Sequence, residues 1–368
     1  MWRDVGFGTY DDVGAAMVGK RLLGAFGALA LGLSLTGCGL AEEGGGGGDK
    51  VVLRLSHQWP AVNKKGEGDF RSVIAQRFAD DVKKRTDGEV VVKIHAANSL
   101  IEDPIQQYTA INKGTADMSV YPLDYAAGDV PAFSVTLMPA MVRNHEQARK
   151  WQNAQIGKEV EKLTEDNGIK VLTWIWNAGA IGSRSAEPIV APDDVKKGNV
   201  TRAAGPRIEQ MLKSVGFGLS SMPSSEIYNG MQTGVLDSAI TSTSSFGSYR
   251  LHEQVKSFTT PTGGNTFWFM FEPLIIGTEQ FDELTKEQQQ AVEKAGANLQ
   301  QYAYEASEKD DTRVEQQFKK AGVKVVPMDD ASYEKWREKS EPVWDDFAKE
   351  VEGGQRLIDE AKKVADEG

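Results

Sequence analysis

This chain of 368 residues predicts an α/β architecture of open, mainly parallel sheets covered by helices. Three observations carry that reading. Short β-branched runs alternate with segments of helical period, one late helical pattern is too long for a single small domain, and the chain is long enough for one large or two medium lobes with cores of their own.

VVLRLS (51–56) and EVVVKIH (89–95) read as strands. Between them FRSVIAQRFADDVKKRT carries Val73, Ile74, Phe78 and Val82 at helical spacing, completing a βαβ unit closed by Gly88. DPIQQYTAINKG predicts a helix ending at Gly114, and ADMSVY a third strand. HEQARKWQNAQIGKEVEKLTEDN predicts one long amphipathic helix stopped at Gly168, ahead of the apolar strand IKVLTWIW. GNVTRAA (198–204), helices through PRIEQMLKSVG and SSEIYNGMQTG, and VLDSAI (235–240) repeat the alternation, and GGNTFWFMF is predicted as a return strand. Thr285 and Gln288 then fit a capping box, with no proline before Pro327. Val292, Ala295, Leu299, Tyr302, Ala306, Val314 and Phe318 recur every three or four residues. The helix they predict, from about Lys286 to Ala321, is about 54 Å long and crosses both lobes. VKVVPM (323–328) adds a strand, and two helices carrying Trp336, Trp344 and Phe347 finish the chain.

The N-terminal region reads as an export signal. Lys20 and Arg21 precede LLGAFGALALGLSLTG, an apolar run shorter than the roughly 20 residues a membrane span needs. Leu35-Thr36-Gly37-Cys38 resembles the bacterial lipobox, which implies cleavage before Cys38 and lipidation of that cysteine, with Gly44 to Gly48 as a flexible tether. The alternative is a buried free Cys38 behind an uncleaved anchor. Met17 precedes the basic pair, so residues 1–16 are read as a misassigned start, 1–37 as signal and 38–49 as lipidated linker. With the only cysteine lipidated no disulfide can form, and 40% hydrophobic residues leave packing to hold the mature chain. A net charge of −11, spread along the chain, argues against nucleic acid as a partner.

In open α/β sheets ligands bind beyond the carboxyl ends of strands. Reading off those positions yields His57, Gln58 and Trp59, then Tyr121 and Tyr125, then Trp176 and Asn177, then Thr241, with Trp268 in the return strand. Rings with a few polar tips compose a small-molecule pocket, although any one of these aromatics read singly is a core residue. No metalloprotease, nucleophile-elbow or P-loop motif is present, and the four histidines lack metal-ligand spacing, so no enzyme activity, metal or cofactor is expected.

Ser225-Glu226-Ile227-Tyr228, followed by Met231-Gln232-Thr233-Gly234-Val235-Leu236-Asp237, resembles the S-E-x-Y…L-Q-x-G-x-x-D signature of the solute-binding proteins of TRAP (tripartite ATP-independent periplasmic) transporters. Glu187-Pro188-Ile189, Pro192-Asp193-Asp194-Val195-Lys196-Lys197-Gly198 and Thr201-Arg202 resemble the family's K-P-I…P-D-D-L-K-G…R segment. Phe78, Val82, Thr86-Asp87-Gly88, Leu137-Met138-Pro139 and Gly157-Lys158 match weaker landmarks in the same order.

The resemblance implies a two-lobed periplasmic-binding-protein-like fold with a long helix spanning both lobes, which closes on an organic acid and delivers it to TRAP membrane permease subunits driven by an ion gradient. One lobe would hold residues 50–177 with about 268–305, the other 178–267 with about 306–366. It also implies that Arg202 pairs with the ligand carboxylate, a role the always-charged guanidinium fork suits. Members binding sialic acid or small hydroxylated acids resemble one another in a second arginine where this chain has Ile181, with Arg184 displaced. Ser238 replaces a family glycine and Thr241 falls near a family asparagine. Losing a cation and an amide while keeping Trp59, Trp176 and Trp268 points to a monocarboxylate with an apolar or aromatic body. The alternative partner is an ABC importer or a sensor system. The expected location is periplasmic or cell-surface, lipid-anchored to a bacterial membrane.

Overall fold

The computed structural model describes residues 50–366. The export signal, Cys38 and the glycine tract lie outside the described residues. In chain order the strands are β1 (Val51–Ser56), β2 (Val90–His95), β3 (Met118–Val120), β4 (Ile169–Thr173), β5 (Trp176–Ser183), β6 (Val200–Ala203), β7 (Gly218–Ser221), β8 (Ser238–Ser242), β9 (Ser257–Thr260), β10 (Phe269–Phe271), β11 (Leu274–Gly277) and β12 (Lys324–Pro327). The helices are α1 (Phe70–Arg85), α2 (Gln107–Asn112), α3 (His145–Asn153), α4 (Gln155–Asp166), α5 (Pro206–Ser214), α6 (Ile227–Gln232), α7 (Thr243–Ser248), α8 (Thr278–Asp282), α9 (Lys286–Asn298), α10 (Gln300–Lys320), α11 (Asp330–Glu350) and α12 (Gly354–Asp366).

Two sheets organise two lobes. The first runs β2-β1-β3-β11-β4, and the second β12-β9-β5-β8-β6-β7 with β10 added to β5. The βαβ unit forms as its pattern requires. Asp69 caps α1 by accepting from the Arg71 backbone, basic residues fill the last turn, and Ile74, Phe78 and Val82 are fully buried against the first sheet. Each of these side chains contributes about 1.5–3 kcal/mol by leaving water.

The expectation of mainly parallel sheets is corrected: they are mixed. β1 pairs parallel with β2 and β3, β6 with β7 and β8, and β9 with β12. Every pairing made by β5, β10 or β11 is antiparallel. The reason is connectivity. β4 runs into β5, carrying the chain from the first sheet to the second, and β10 runs into β11, bringing it back. Antiparallel neighbours need no crossover helix, so strands that pass between lobes insert this way.

The two long helices are also broken. Ala154 is extended (ψ 172°) between α3 and α4, and Gly157 packs so tightly on the Trp151 carbonyl that a β-carbon there would approach it to 2.3 Å. The late helix divides at Leu299 into α9 and α10. Gly296 packs against Leu172, the Thr173 hydroxyl takes the Gly296 carbonyl at 2.9 Å, and the Gln300 amide bonds both the N–H (2.9 Å) and the carbonyl (2.8 Å) of Trp174. The helix thus bends where β4 gives way to β5, with α9 on β4 and α10 on β5, α7 and β12. α11 and α12 then wrap from α5 to α3 and α4.

Candidate ligand-binding site

Arg202 stands on β6 and is 1% exposed. Its Nε donates to the Met222 carbonyl (2.9 Å), Nη1 to the Ile240 carbonyl (3.0 Å) and Nη2 to the Tyr125 hydroxyl (3.0 Å). No carboxylate among the described residues pairs with it. Three of five N–H donors are thereby used, leaving one on each terminal nitrogen, enough for a bidentate carboxylate. A buried cation without a counter-ion costs several kcal/mol, so an arriving anion has that much to relieve.

Tyr125 belongs to the 3₁₀ turn Leu123–Ala126 that follows β3 of the first sheet, so the Arg202 bond joins the lobes. The Tyr125 hydroxyl also accepts from the Ser224 backbone at 3.3 Å, and the Ser224 hydroxyl donates to the Gln58 side-chain oxygen at 3.2 Å. Tyr249 donates to the Gln58 carbonyl at 3.2 Å. Tyr121 packs edge-on against Tyr125 and donates to the Ile105 carbonyl, its hydroxyl pushed far above the usual tyrosine range by burial.

The end of β1 carries unspent polarity. Both ring nitrogens of His57, the Gln58 amide nitrogen and the Trp59 indole N–H are buried without hydrogen-bond partners among the described residues. Burial lowers the His57 pKa to about 4, so its imidazole is neutral at neutral pH, with one donor and one acceptor to offer. Beside it Ala97 and Asn98 take consecutive left-handed conformations (φ 53° and 60°), donating to the Trp59 and His57 carbonyls. Non-glycine residues are strained there, and such strain gathers at binding sites.

A second buried guanidinium, Arg71, is spoken for. It donates to Asp69 (2.8 and 2.6 Å) and Glu272 (3.0 and 2.8 Å), touches the Ser242 and Ser245 hydroxyls, and lies 3.9 Å above the Trp59 ring. Asn177 donates to Glu272 at 3.1 Å and so joins this cluster. Burial raises the Glu272 pKa, the Arg71 charge offsetting only part of it.

The structure therefore brings Arg202, Tyr125, Tyr121 and Gln58 into one linked set and places Trp59 and Asn177 around Arg71. Thr241 is buried on β8 beside Ile240, whose carbonyl holds Arg202. Trp268 lies across Gly179, its ring 2.5 Å from where a β-carbon would stand, with the indole N–H unpartnered among the described residues. The Trp176 ring contacts Trp151, Trp174, Phe269 and Phe271 within the main core. Arg184 is exposed beyond the end of β5. Residues that sequence reasoning missed are Asp69, Arg71, Asp124, Ser224 and Glu272. Glu272 had a signal, being the lone charge within the apolar run FWFMFEPLIIG.

Relatives share this architecture. The pattern of the bacterial extracellular solute-binding proteins, family 7 (DctP), matches residues 57–350. A solute-binding protein of Albidiferax ferrireducens is 39% identical over 308 residues, 83% of this chain and 90% of that protein. The C4-dicarboxylate-binding periplasmic protein DctP of Rhodobacter capsulatus is 26% identical over 340 residues, 91% of this chain and 96% of that one. The crystal structure of a TRAP periplasmic solute-binding protein from Rhodoferax ferrireducens with bound malonate is 38% identical with a TM-score of 0.82, covering 86% of this chain and 98% of that one. This chain belongs to the TRAP transporter solute-binding proteins, bacterial extracellular solute-binding protein family 7.

Proposed function

We propose that the protein captures an organic acid outside the cytoplasm, closing its lobes with Arg202 on the ligand carboxylate, and delivers it to TRAP permease subunits. The observation that carries this is the buried Arg202 fork, which hydrogen-bonds across the lobes yet has no carboxylate partner among the described residues. A ligand that neutralises it only in the closed form supplies the differential affinity that closure requires. In this reading Cys38 anchors the protein to a bacterial membrane, and the lobes divide near residues 177, 268 and 305.

The ligand we favour is a monocarboxylate with an apolar or aromatic body. Of the two arginines buried below 2% exposure among the described residues, Arg71 is already matched by two carboxylates, which leaves Arg202 as the guanidinium for a single carboxylate. The Trp59 and Trp268 rings suit an apolar body. The malonate complex of the Rhodoferax relative sets the competing class, a small diacid. Calorimetry with 3-phenylpropanoate, benzoate and malonate separates them. Monocarboxylates bind tighter in this reading, and Arg202→Ala weakens them by about 2–5 kcal/mol, or roughly 30- to 5,000-fold. Arg202→Lys, a point charge without the fork, recovers only part of the loss. Tighter malonate binding would overturn the ligand class, and unchanged affinity in Arg202→Ala the whole reading.

A further inference from the structure

The Asp124 carboxylate is 2% exposed and neither oxygen has a hydrogen-bond partner among the described residues. It sits in the same 3₁₀ turn as Tyr125, and both line a cavity of about 470 Å³ to which Gly205, Glu209 and Met222 contribute from beyond β6. Two of these residues also hold Arg202, Tyr125 by its hydroxyl and Met222 by its carbonyl. The cavity therefore adjoins the guanidinium fork.

The carboxylate is seated by design of the chain. A β-carbon on Gly205, which lies at φ +92°, would fall 2.1 Å from Oδ2 of Asp124, so only glycine admits the acid there. The next residue, Pro206, has no N–H to offer it. Facing Asp124 are Glu209 and Arg207 from α5, the Ser134 hydroxyl from the turn Pro131–Leu137, and the Tyr121 and Tyr125 rings. Arg207 is committed to Glu350 at 2.8 Å, and Glu209 accepts from the Ser221 hydroxyl. Burial, then the Glu209 charge, push Asp124 up to about 7, with Ser134 and Arg207 offsetting part of the rise. A buried acid with an acidic neighbour, whose nearest donor, the Ser134 hydroxyl, makes no hydrogen bond of good geometry to it, is stabilised by an incoming cation. Two carboxylates beside apolar walls such as Ile105 and Ala203 are too few for a metal shell of six to eight oxygens, but they match an alkylammonium and its carbon stem.

We propose that Asp124 and Glu209 form a subsite for a protonated amine beside the Arg202 fork. Where the amine is carried by the captured acid, making that ligand zwitterionic, the inference rests on the acid-binding reading of Arg202; where it is a separate ammonium ion, it stands alone.

The ligand-free protein is titrated with methylammonium chloride against sodium chloride at equal ionic strength, following the Asp124 carboxyl by NMR. An alkylammonium stays charged to about pH 10, so a change in its binding near neutral pH reports the protein's carboxyl and not the amine. Methylammonium is expected to lower the Asp124 midpoint and to raise the thermal midpoint above pH 7 but not at pH 5, and Asp124→Asn removes the stabilisation. Phenylalanine and 3-phenylpropanoate, which differ by one ammonium, identify the source. An amine on the acid makes phenylalanine bind about tenfold tighter at pH 8, a preference lost in Asp124→Asn. A separate ion leaves the two acids equal, with methylammonium tightening 3-phenylpropanoate. A midpoint that ignores methylammonium, or responds equally to sodium, with no preference between the acids, overturns the subsite. So does an amine affinity that falls as pH rises through 7. A methylammonium response without any acid binding would defeat the Arg202 reading alone, and acid binding without an amine response would defeat the subsite alone.

Discussion

Replacing Arg71 with methionine keeps the unbranched stem of the side chain and removes the charged guanidinium between two buried carboxylates. The wild-type guanidinium makes four bonds of 2.6–3.0 Å to Asp69 and Glu272, both of them almost wholly inaccessible to water. Without it, Asp69 retains the Arg71 backbone N–H and the Ser248 hydroxyl, and Glu272 retains Asn177. Breaking a buried pair from one side costs about 3–5 kcal/mol at neutral pH. At about 2 °C per kcal/mol for a chain of this size, the thermal midpoint falls by roughly 6–10 °C. The sign of the pH dependence follows from the two acids. Burial pushes Asp69 up, but the Arg71 charge and hydrogen bonds pull it further, below its ordinary 3.8, so its contribution is present above that value and lost as pH falls. Glu272 stays above its ordinary 4.5 because burial outweighs Arg71, so it costs stability as pH rises. In Arg71→Met both carboxyls move upward, and their repulsion and desolvation are relieved when they take up protons. The deficit measured by urea unfolding is therefore largest at pH 7 and shrinks toward pH 5. A loss below about 1 kcal/mol at pH 7, or a deficit that grows on acidification, would refute this account.

Two further substitutions test the joints of the fold. Gly179→Ala sets a β-carbon 2.5 Å from the Trp268 ring and 2.8 Å from its carbonyl, so Trp268 must shift; a loss of about 1–3 kcal/mol with a change in tryptophan emission is expected, and an unperturbed variant would show that the ring is free to move. Gln300→Ala leaves the Trp174 N–H and carbonyl without their side-chain partner at the lobe crossing, costing about 1–3 kcal/mol in urea unfolding, and a loss under about 0.5 kcal/mol would argue that water replaces the amide.

Local pattern alone determined a good deal of this protein. The βαβ unit was legible because Ile74, Phe78 and Val82 repeat at helical spacing between two β-branched runs, and the motifs from Glu187 to Asp237 identified the family. Arg202 was singled out by its place in those motifs, since nothing in its immediate sequence distinguishes a buried arginine from a surface one. Only the tertiary structure decided the sheet directions, because a strand's sense depends on which lobe the chain has just left, a relation no local period encodes. It likewise decided where helices break: Ala154 and Leu299 are unremarkable helix residues until Trp151 and the β4–β5 crossing crowd the turns beside them. The charges followed the same division. Arg71 and Glu272 lie 201 positions apart, and Asp124 owes its orphaned state to a glycine 81 positions on, so their ionisation is set by neighbours that folding delivers. Composition and spacing specify what each segment can bury. Which cations meet an anion, and which are left to receive one, depends on the packing of distant segments against each other.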